Sequence, residues 1–136
     1  MKITENSDHM MWTLWAADCA EHVLYLFERD QPADDRPLKA IEAARSWVKG
    51  ELKVSVARKF ALAAHAAARD ASSTESTAAA RAAGHAAATT HIADHAIHAA
   101  AYAVKASTDT VKEREWQWNI MPEYIQLVMK EAKKPW

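Results

Sequence analysis

Residues 84–102 read GHAAATTHIADHAIHAAAY. Four histidines, His85, His91, His95 and His98, stand in a stretch that is otherwise mostly alanine. Alanine is the best helix former, and its small side chain lets neighbouring backbones come close. Histidine needs a partner: a proton, a carboxylate, a metal or another protein. How this stretch folds therefore decides both the architecture and the position of the polar chemistry.

The same bias runs through the rest of the chain. Among 136 residues there are two glycines, Gly50 and Gly84, and four prolines, and alanine is the most frequent residue. No segment alternates β-branched and polar residues with a period of two. An all-α fold is implied, expected as one domain over 1–136: a compact bundle of five or six antiparallel helices. In it, alanine-rich central helices would pack against aromatic-rich outer ones, since large residues facing small ones fill a core.

Helix signals divide the chain further. The first helix is expected from near Asp8 to Arg29 and is apolar almost all round, as a central buried helix is. The loop QPADDRP (31–37) offers Asp34 or Asp35 as a cap and Pro37 in the first turn of a second helix, which ends before Gly50. Its inward stripe would be Pro37, Ile41, Ala44, Trp47 and Val48. A third helix covers about 55–70. Ser72-Ser73-Thr74-Glu75 reads as a capping box that opens a fourth helix running to Ala106, with Gly84 as its weak point and a break between 84 and 90 as the alternative. Thr110-x-x-Glu113 reads as a second box, for a fifth helix through Trp118. Pro122 opens a last one to about Lys133, with the tail from 134 to 136 loose.

Charge and cysteine content narrow the function. With 17 basic and 18 acidic residues there is no electrostatic footprint for nucleic acid. Cys19 is the single cysteine, so no internal disulfide forms and a reducing compartment is indicated. The opening MKITENSDHMMW is too polar for a signal peptide. Arg81, His85, His91, Asp94 and His95 interrupt the alanine-rich centre, so no membrane span is expected. A cytoplasmic protein with neither nucleic acid nor membrane as partner is the expectation.

On one continuous helix the histidines separate into two stripes. Arg81, His85, Ala88, Ile92, His95, Ala99 and Tyr102 share a face that its apolar members turn inward. His91, Asp94, His98, Ala101 and Lys105 share a polar, solvated one. His85 and His95 would then lie roughly 15 Å apart and not reach one ion. His91 and His95 alone have ligand spacing, i and i+4. A zinc site needs three or four ligands, so His22 or His65 would have to join them, with Asp18 or Asp94 as a fourth group. The opposing reading leaves His91 and His98 wet and gives His85 and His95 a carboxylate or carbonyl partner.

Other helices carry complementary polar stripes. Trp15, Asp18, His22, Tyr25 and Arg29 line up on helix one, where Asp18 and His22 can pair. Arg58, Leu62, His65 and Arg69 line up on helix three. With Arg81, His85 and His95 they would form a buried network, which either fixes helix register or lines a pocket. Enzyme signatures are missing. There is no glycine-rich phosphate loop, no recurring Glu-x-x-His pair, and Cys19 lies in an apolar run where thiols are inert.

WAADCAEHVLYLFE (15–28), DDRPLKAIEAARSWVKGE (34–51), ARKFALAAHAAARDA (57–71) and ARAAGHAAATTHIADHA (80–96) resemble the bacterial Imm-5-like family of putative immunity proteins, associated with polymorphic toxin systems. The DDRP-x4-EAAR-x-W and GHAAAT-x-H strings are the specific part. The resemblance spans helix one to the middle of helix five; the segment after Trp118 departs from it. It implies an all-helical protein without cofactor or catalytic activity whose partner is a cognate toxin. The matching positions are Asp18, Asp35, Arg36, Pro37, Trp47, His65, Arg69, His85, His91 and His95. The surface expected for the toxin is the 28–36 loop, with Asp34 and Asp35, together with His91, Asp94 and His98. A metal-binding bundle is the competing reading. A homodimer burying Trp116, Trp118 or Trp136 is the third.

Overall fold

In the computed structural model, residues 5–132 are described, and the expected loose tail at 134–136 lies outside them. Among the described residues there are seven helices and no strand: α1 (Glu5–Asp30), α2 (Arg36–Val48), α3 (Val54–Asp70), α4 (Thr74–Ala88), α5 (His95–Ala106), α6 (Thr110–Ile120) and α7 (Glu123–Ala132). The all-helical expectation holds, but the expected count of five or six does not. The long helix expected over 74–106 is two helices, joined by a turn at 89–94.

The break falls inside the expected window, but Gly84 does not cause it. Gly84 is helical and buried. The helix ends at the Thr89-Thr90 pair, both buried. Thr89 Oγ1 donates to the His85 carbonyl at 2.8 Å and Thr90 Oγ1 to the Ala87 carbonyl at 2.7 Å. Threonine hydroxyls thus add a second bond to carbonyls that the Thr89 and Thr90 amides also reach, a local side-chain alternative to continuing the helix. His9 Nε2 adds a bond to the Thr89 carbonyl and ties the turn to the start of α1.

Gly84 has a different task. A Cβ there would stand 2.7 Å from the His65 ring, so α3 and α4 approach as closely as they do only because this position has no side chain. Around it, Ala78, Ala79, Ala80, Ala82, Ala83, Ala86 and Ala87 bury α4 on most of its circumference. The bulk comes from α1: Trp15, Val23, Leu24, Leu26 and Phe27 are buried, and one continuous apolar cluster joins them to Ile41 and, at the far end, Met121, Ile125 and Met129.

Caps differ in detail from the sequence reading. The α4 cap is Ser73 with Ser76 as its reciprocal partner, one residue on from the Ser72/Glu75 pair. For α6 the cap is Asp109, accepting from the Lys112 amide, and not Thr110. A serine and an aspartate one residue earlier or later serve equally well, so composition alone does not select the register. Gly50 is the expected residue past α2, at φ +77°. Its N–H reaches the Trp47 carbonyl at 3.0 Å and the Glu51 N–H reaches that of Ser46 at 2.9 Å, the paired bonds of a Schellman end.

Two contacts fix the direction of α4 relative to α1. Asp30, at the end of α1, accepts from Ser73 Oγ at 2.8 Å, and His9, near its start, meets Thr89 at the end of α4. The 31–35 loop and the 89–94 turn therefore sit at opposite ends of α4, whose 15 residues rise by about 22 Å.

Candidate functional site

The 89–94 turn folds α5 back along α4, and this brings histidines together that a straight helix would separate. His85 Nδ1 and His95 Nδ1 are 3.0 Å apart, where one ring donates and the other accepts. The separation of roughly 15 Å expected on a continuous helix is thereby corrected, as is the carboxylate or carbonyl partner expected for each ring. His65 of α3 meets His85 edge-on with ring centroids 5.0 Å apart, His98 lies 5.3 Å from it, and Tyr102 stacks on it at 5.3 Å with the planes 9° apart. The four imidazoles His65, His85, His95 and His98 are one cluster between α3, α4 and α5, and not members of two separate faces.

Arg81, one turn before His85, extends the cluster. Its Nη1 donates to His65 Nδ1 at 3.2 Å. A guanidinium has no lone pair to offer, so His65 Nδ1 is the acceptor and this ring is neutral, with its proton on Nε2. Burial is the main force holding the His65 pKa below its ordinary value, and Arg81 adds to it. Burial and then the neighbouring His65 and His95 push His85 down to about 3. His95 is lowered too, first by burial and then by His98 and His91, with Asp94 opposing. His65, His85 and His95 are thus held towards the neutral form beside the Arg81 cation.

The expected single polar network divides in two. Asp18 does not pair with His22. It accepts from Arg45 Nη2 of α2 at 2.9 Å, and Glu21 accepts from Arg45 Nη1 at 2.7 Å. His22 turns the other way: its Nδ1 lies 2.9 Å from both carboxylate oxygens of Glu113 in α6, and its ring stacks on Trp116 at 3.5 Å. Glu113 is buried although it sits in a charged-looking helix. Glu113, Gln117 and Met121 recur at i, i+4 and i+8 and all three are buried. That spacing is the signal that could have singled Glu113 out. Arg45 carries no comparable signal, because a lone arginine in EAAR gives no sign of its partners.

The other expected residues have varied surroundings. Asp34 is bound by Arg36 through Nε at 2.9 Å and Nη2 at 2.7 Å, and Arg36 also reaches Asp70 at 3.0 Å. The hydrogen bond from Arg36 holds the Asp34 carboxyl below the usual range. Asp35, Arg69, His91, Asp94 and His98 are exposed, and Trp47 is half-buried against His9 with ring centroids 4.8 Å apart. His91 stays in the turn, His22 faces Glu113 and His65 serves Arg81, so the four imidazoles named for a metal do not converge. Among the described residues no group of three or more His, Cys, Asp or Glu side chains is placed to hold a metal ion. Cys19 is fully buried and its thiol is pushed well above its usual pKa, first by burial and then by Glu113 and Asp18, as an inert packing thiol should be. No helix among the described residues is long and apolar enough to cross a membrane.

The profile of the Imm-5 like putative immunity protein family matches residues 2–124. The chain belongs to this family. No curated protein and no solved structure matches it. The match to the Imm-5 like family covers α1 to α6 and the first residues of α7, and so includes both the histidine cluster and the Arg45 and Glu113 pairs. Among the residues in the strings that resemble these immunity proteins, two groups make contacts between helices. His65, Gly84, His85, Thr89 and His95 shape the α3–α4–α5 junction. Asp18, Asp34 and Arg36 join α1, α2 and α3 by ion pairs.

Proposed function

We propose that this chain binds a cognate protein toxin and neutralises it by occlusion, without catalysing a reaction, in the reducing cytoplasm. The observation that carries this reading is the family match over residues 2–124. The geometry fits a binding protein: the interior is filled by alanine and aromatic side chains, and the polar groups are tied into pairs.

Two surfaces were expected to form one contact, the 28–36 loop and the His91/Asp94/His98 region. They lie at opposite ends of α4. A better-formed patch lies along α1 and α6. There Tyr25 is 60% exposed, beside the His22–Trp116 stack, and Asp18 and Glu21 line a shallow pocket against Trp116 and Ile120. Tyrosine and tryptophan are among the residue types that dominate protein interfaces, and Trp116 is held by its stack on His22. We place the toxin contact on this ridge, with Asp34, Asp35, His91, Asp94 and His98 outside its centre.

Co-expression with the toxin domain encoded in the adjacent gene tests the reading. The chain should restore growth and co-purify with the toxin in a fixed ratio. Tyr25→Ala with Trp116→Ala should weaken the complex by tenfold or more, on the order of 2 kcal/mol for hot-spot aromatics, with an unchanged helical circular-dichroism spectrum. Growth arrest that persists at full expression of the folded chain would rule the reading out.

A further inference from the structure

Next to the histidine cluster, the start of α4, the end of α3 and the last turns of α5 border an open pocket of about 350 Å³, lined by Ala71, Ser72, Ser73, Thr74, Thr77, Ala78, Arg81, Tyr102 and Lys105. No aspartate or glutamate lines it. This sets Arg81 apart from two other half-buried arginines, Arg36 and Arg45, each of which holds two carboxylates. Arg81 is also half-buried, yet its one partner among the described residues is the neutral ring of His65. Lys105 makes no ion pair among them either; its ammonium stands 5.9 Å over the Tyr102 ring. The nearest acid in the hydrogen-bond network is Asp30, and it is occupied by Ser73 Oγ and Arg29 Nε.

A half-buried cation without a counter-charge is unfavourable, and a second, exposed cation lining the same pocket adds to the positive potential there. The hydroxyls add to this. Thr74, Thr77, Ser72 and Tyr102 line the same space, and each carries a donor. Thr77 and Arg81 are one turn apart on α4, and Tyr102 and Lys105 one turn apart on α5, so the two helices present these groups towards each other across the pocket. The arrangement lacks negative charge and has donors on several sides.

We propose that this pocket is a binding site for a tetrahedral oxyanion of the phosphate type, free or as a phosphomonoester, held by Arg81 and Lys105 with the surrounding hydroxyls. Two cations match a dianion better than the single charge of a carboxylate. Donors spread around a volume suit a tetrahedral ligand better than a planar one. Arg81 keeps Nη1 on His65 and has its other N–H groups for the ligand. His65 then acts as a positioning residue, because it orients the guanidinium without touching the anion. The site stands apart from the toxin-binding ridge on α1 and α6 and does not depend on that reading.

The test uses the full chain and anions alone. Sulfate, which stays a dianion across the neutral range, inorganic phosphate and glycerol 3-phosphate are each titrated against isotope-labelled protein at constant ionic strength in chloride. Saturable shifts confined to the amides of Thr74, Thr77, Arg81, Tyr102 and Lys105 are expected, with acetate much weaker. Glycerol 3-phosphate binding more tightly than inorganic phosphate would identify an ester as the preferred form; equal binding would identify the free anion. Arg81→Gln should weaken sulfate binding by about tenfold, the loss of a charge-assisted hydrogen bond. Lys105→Gln should weaken it by about threefold. Lys105 is exposed, so its variant folds and decides the matter if Arg81→Gln does not. Shifts that grow linearly and equally with chloride, or saturable binding unchanged by Lys105→Gln and Arg81→Gln, would overturn the site. Acetate binding as tightly as sulfate would overturn its assignment to a phosphate-type ligand.

Discussion

The α1–α2–α6 side and the α3–α4–α5 junction handle buried polarity in opposite ways. On the first side basic groups meet acids: the Arg45 guanidinium meets Asp18 and Glu21, and the His22 ring meets Glu113. At the junction four imidazoles and a guanidinium meet one another, and hydrogen bonds run between nitrogens. The first side is ordinary ion pairing around an aromatic ridge. The second favours the neutral form of His65, His85 and His95, and it leaves Arg81 with charge to share. The two sides should therefore respond differently to added volume, to lost charge and to acid.

The largest effect is expected where the junction is tightest. Gly84→Val would drive a branched side chain into the His65 ring, which the missing Cβ approaches to 2.7 Å. Overpacking a close helix contact in this way should cost about 2–4 kcal/mol, read as a fall in the denaturation midpoint. His65→Ala in the same chain should return part of that loss. If the two substitutions simply add, the ring is not what Gly84 makes room for.

On the opposite side the most sensitive group is Glu113, buried with His22 as its partner. Glu113→Ala removes the carboxylate and leaves His22 Nδ1 without an acceptor. About 1–3 kcal/mol should be lost, the usual cost of breaking a part-buried pair that involves charge. Glu113→Gln keeps an acceptor and should cost less. Equal losses for the two would show that shape, not hydrogen bonding, matters at this position.

The all-helical fold was legible in the sequence because it rests on composition that local physics reads directly: abundant alanine, two glycines, and punctuation such as Gly50 and Pro37. The junction was legible only in its ingredients. His65, Arg81, His85 and His95 were recognisable as polar residues on inward stripes, yet their geometry hung on whether one helix or two covers 74–106. At that break stand two threonine hydroxyls and a histidine from the start of α1, whose bond to the Thr89 carbonyl spans 80 positions. Gly84 was readable as an anomaly but not as a clearance for His65, since spacing within one helix says nothing about a ring arriving from another. Arg45 was missed for the same reason, since its partners lie on a different helix, whereas Glu113 was read as part of a cap and not as the first of the buried row Glu113, Gln117 and Met121.

Acid separates the two sides more finely. An imidazole whose folded pKa is depressed binds fewer protons folded than unfolded, so lowering the pH favours unfolding. His85, from an ordinary value of 6.5 to about 3, therefore contributes stability that is complete above pH 6.5 and is lost as the pH falls from there towards 3. His65 and His95 act in the same direction. On the other side Glu21 is lowered, chiefly by its hydrogen bond from Arg45, so its contribution is lost only as the pH drops below about 4. Stability measured against pH should fall in two limbs. His85→Gln should remove about 1–2 kcal/mol of the upper limb, a figure reduced for the ring's partial exposure, and leave the lower one in place. An unchanged upper limb would mean that the junction takes up protons without strain.

The smallest effect belongs to the most conspicuous contact. Arg45 bridges Asp18 and Glu21 with three hydrogen bonds between 2.7 and 3.2 Å, which on inspection looks like a main tie between α1 and α2. Both carboxylates are about half exposed, at 50% and 56%, and water screens them. Arg45→Ala should cost only about 0.5–1 kcal/mol, part of it from the stem that packs over the helix pair. Raising the salt concentration should shrink the difference. Arg81→Gln provides the contrast. It removes a cation that has no acid to lose, so it should cost no more than Arg45→Ala, and its effect should not shrink in salt in the same way. A larger loss at Arg81 than at Arg45, measured in chloride alone, would mean that its hydrogen bond to His65 outweighs the unshared charge.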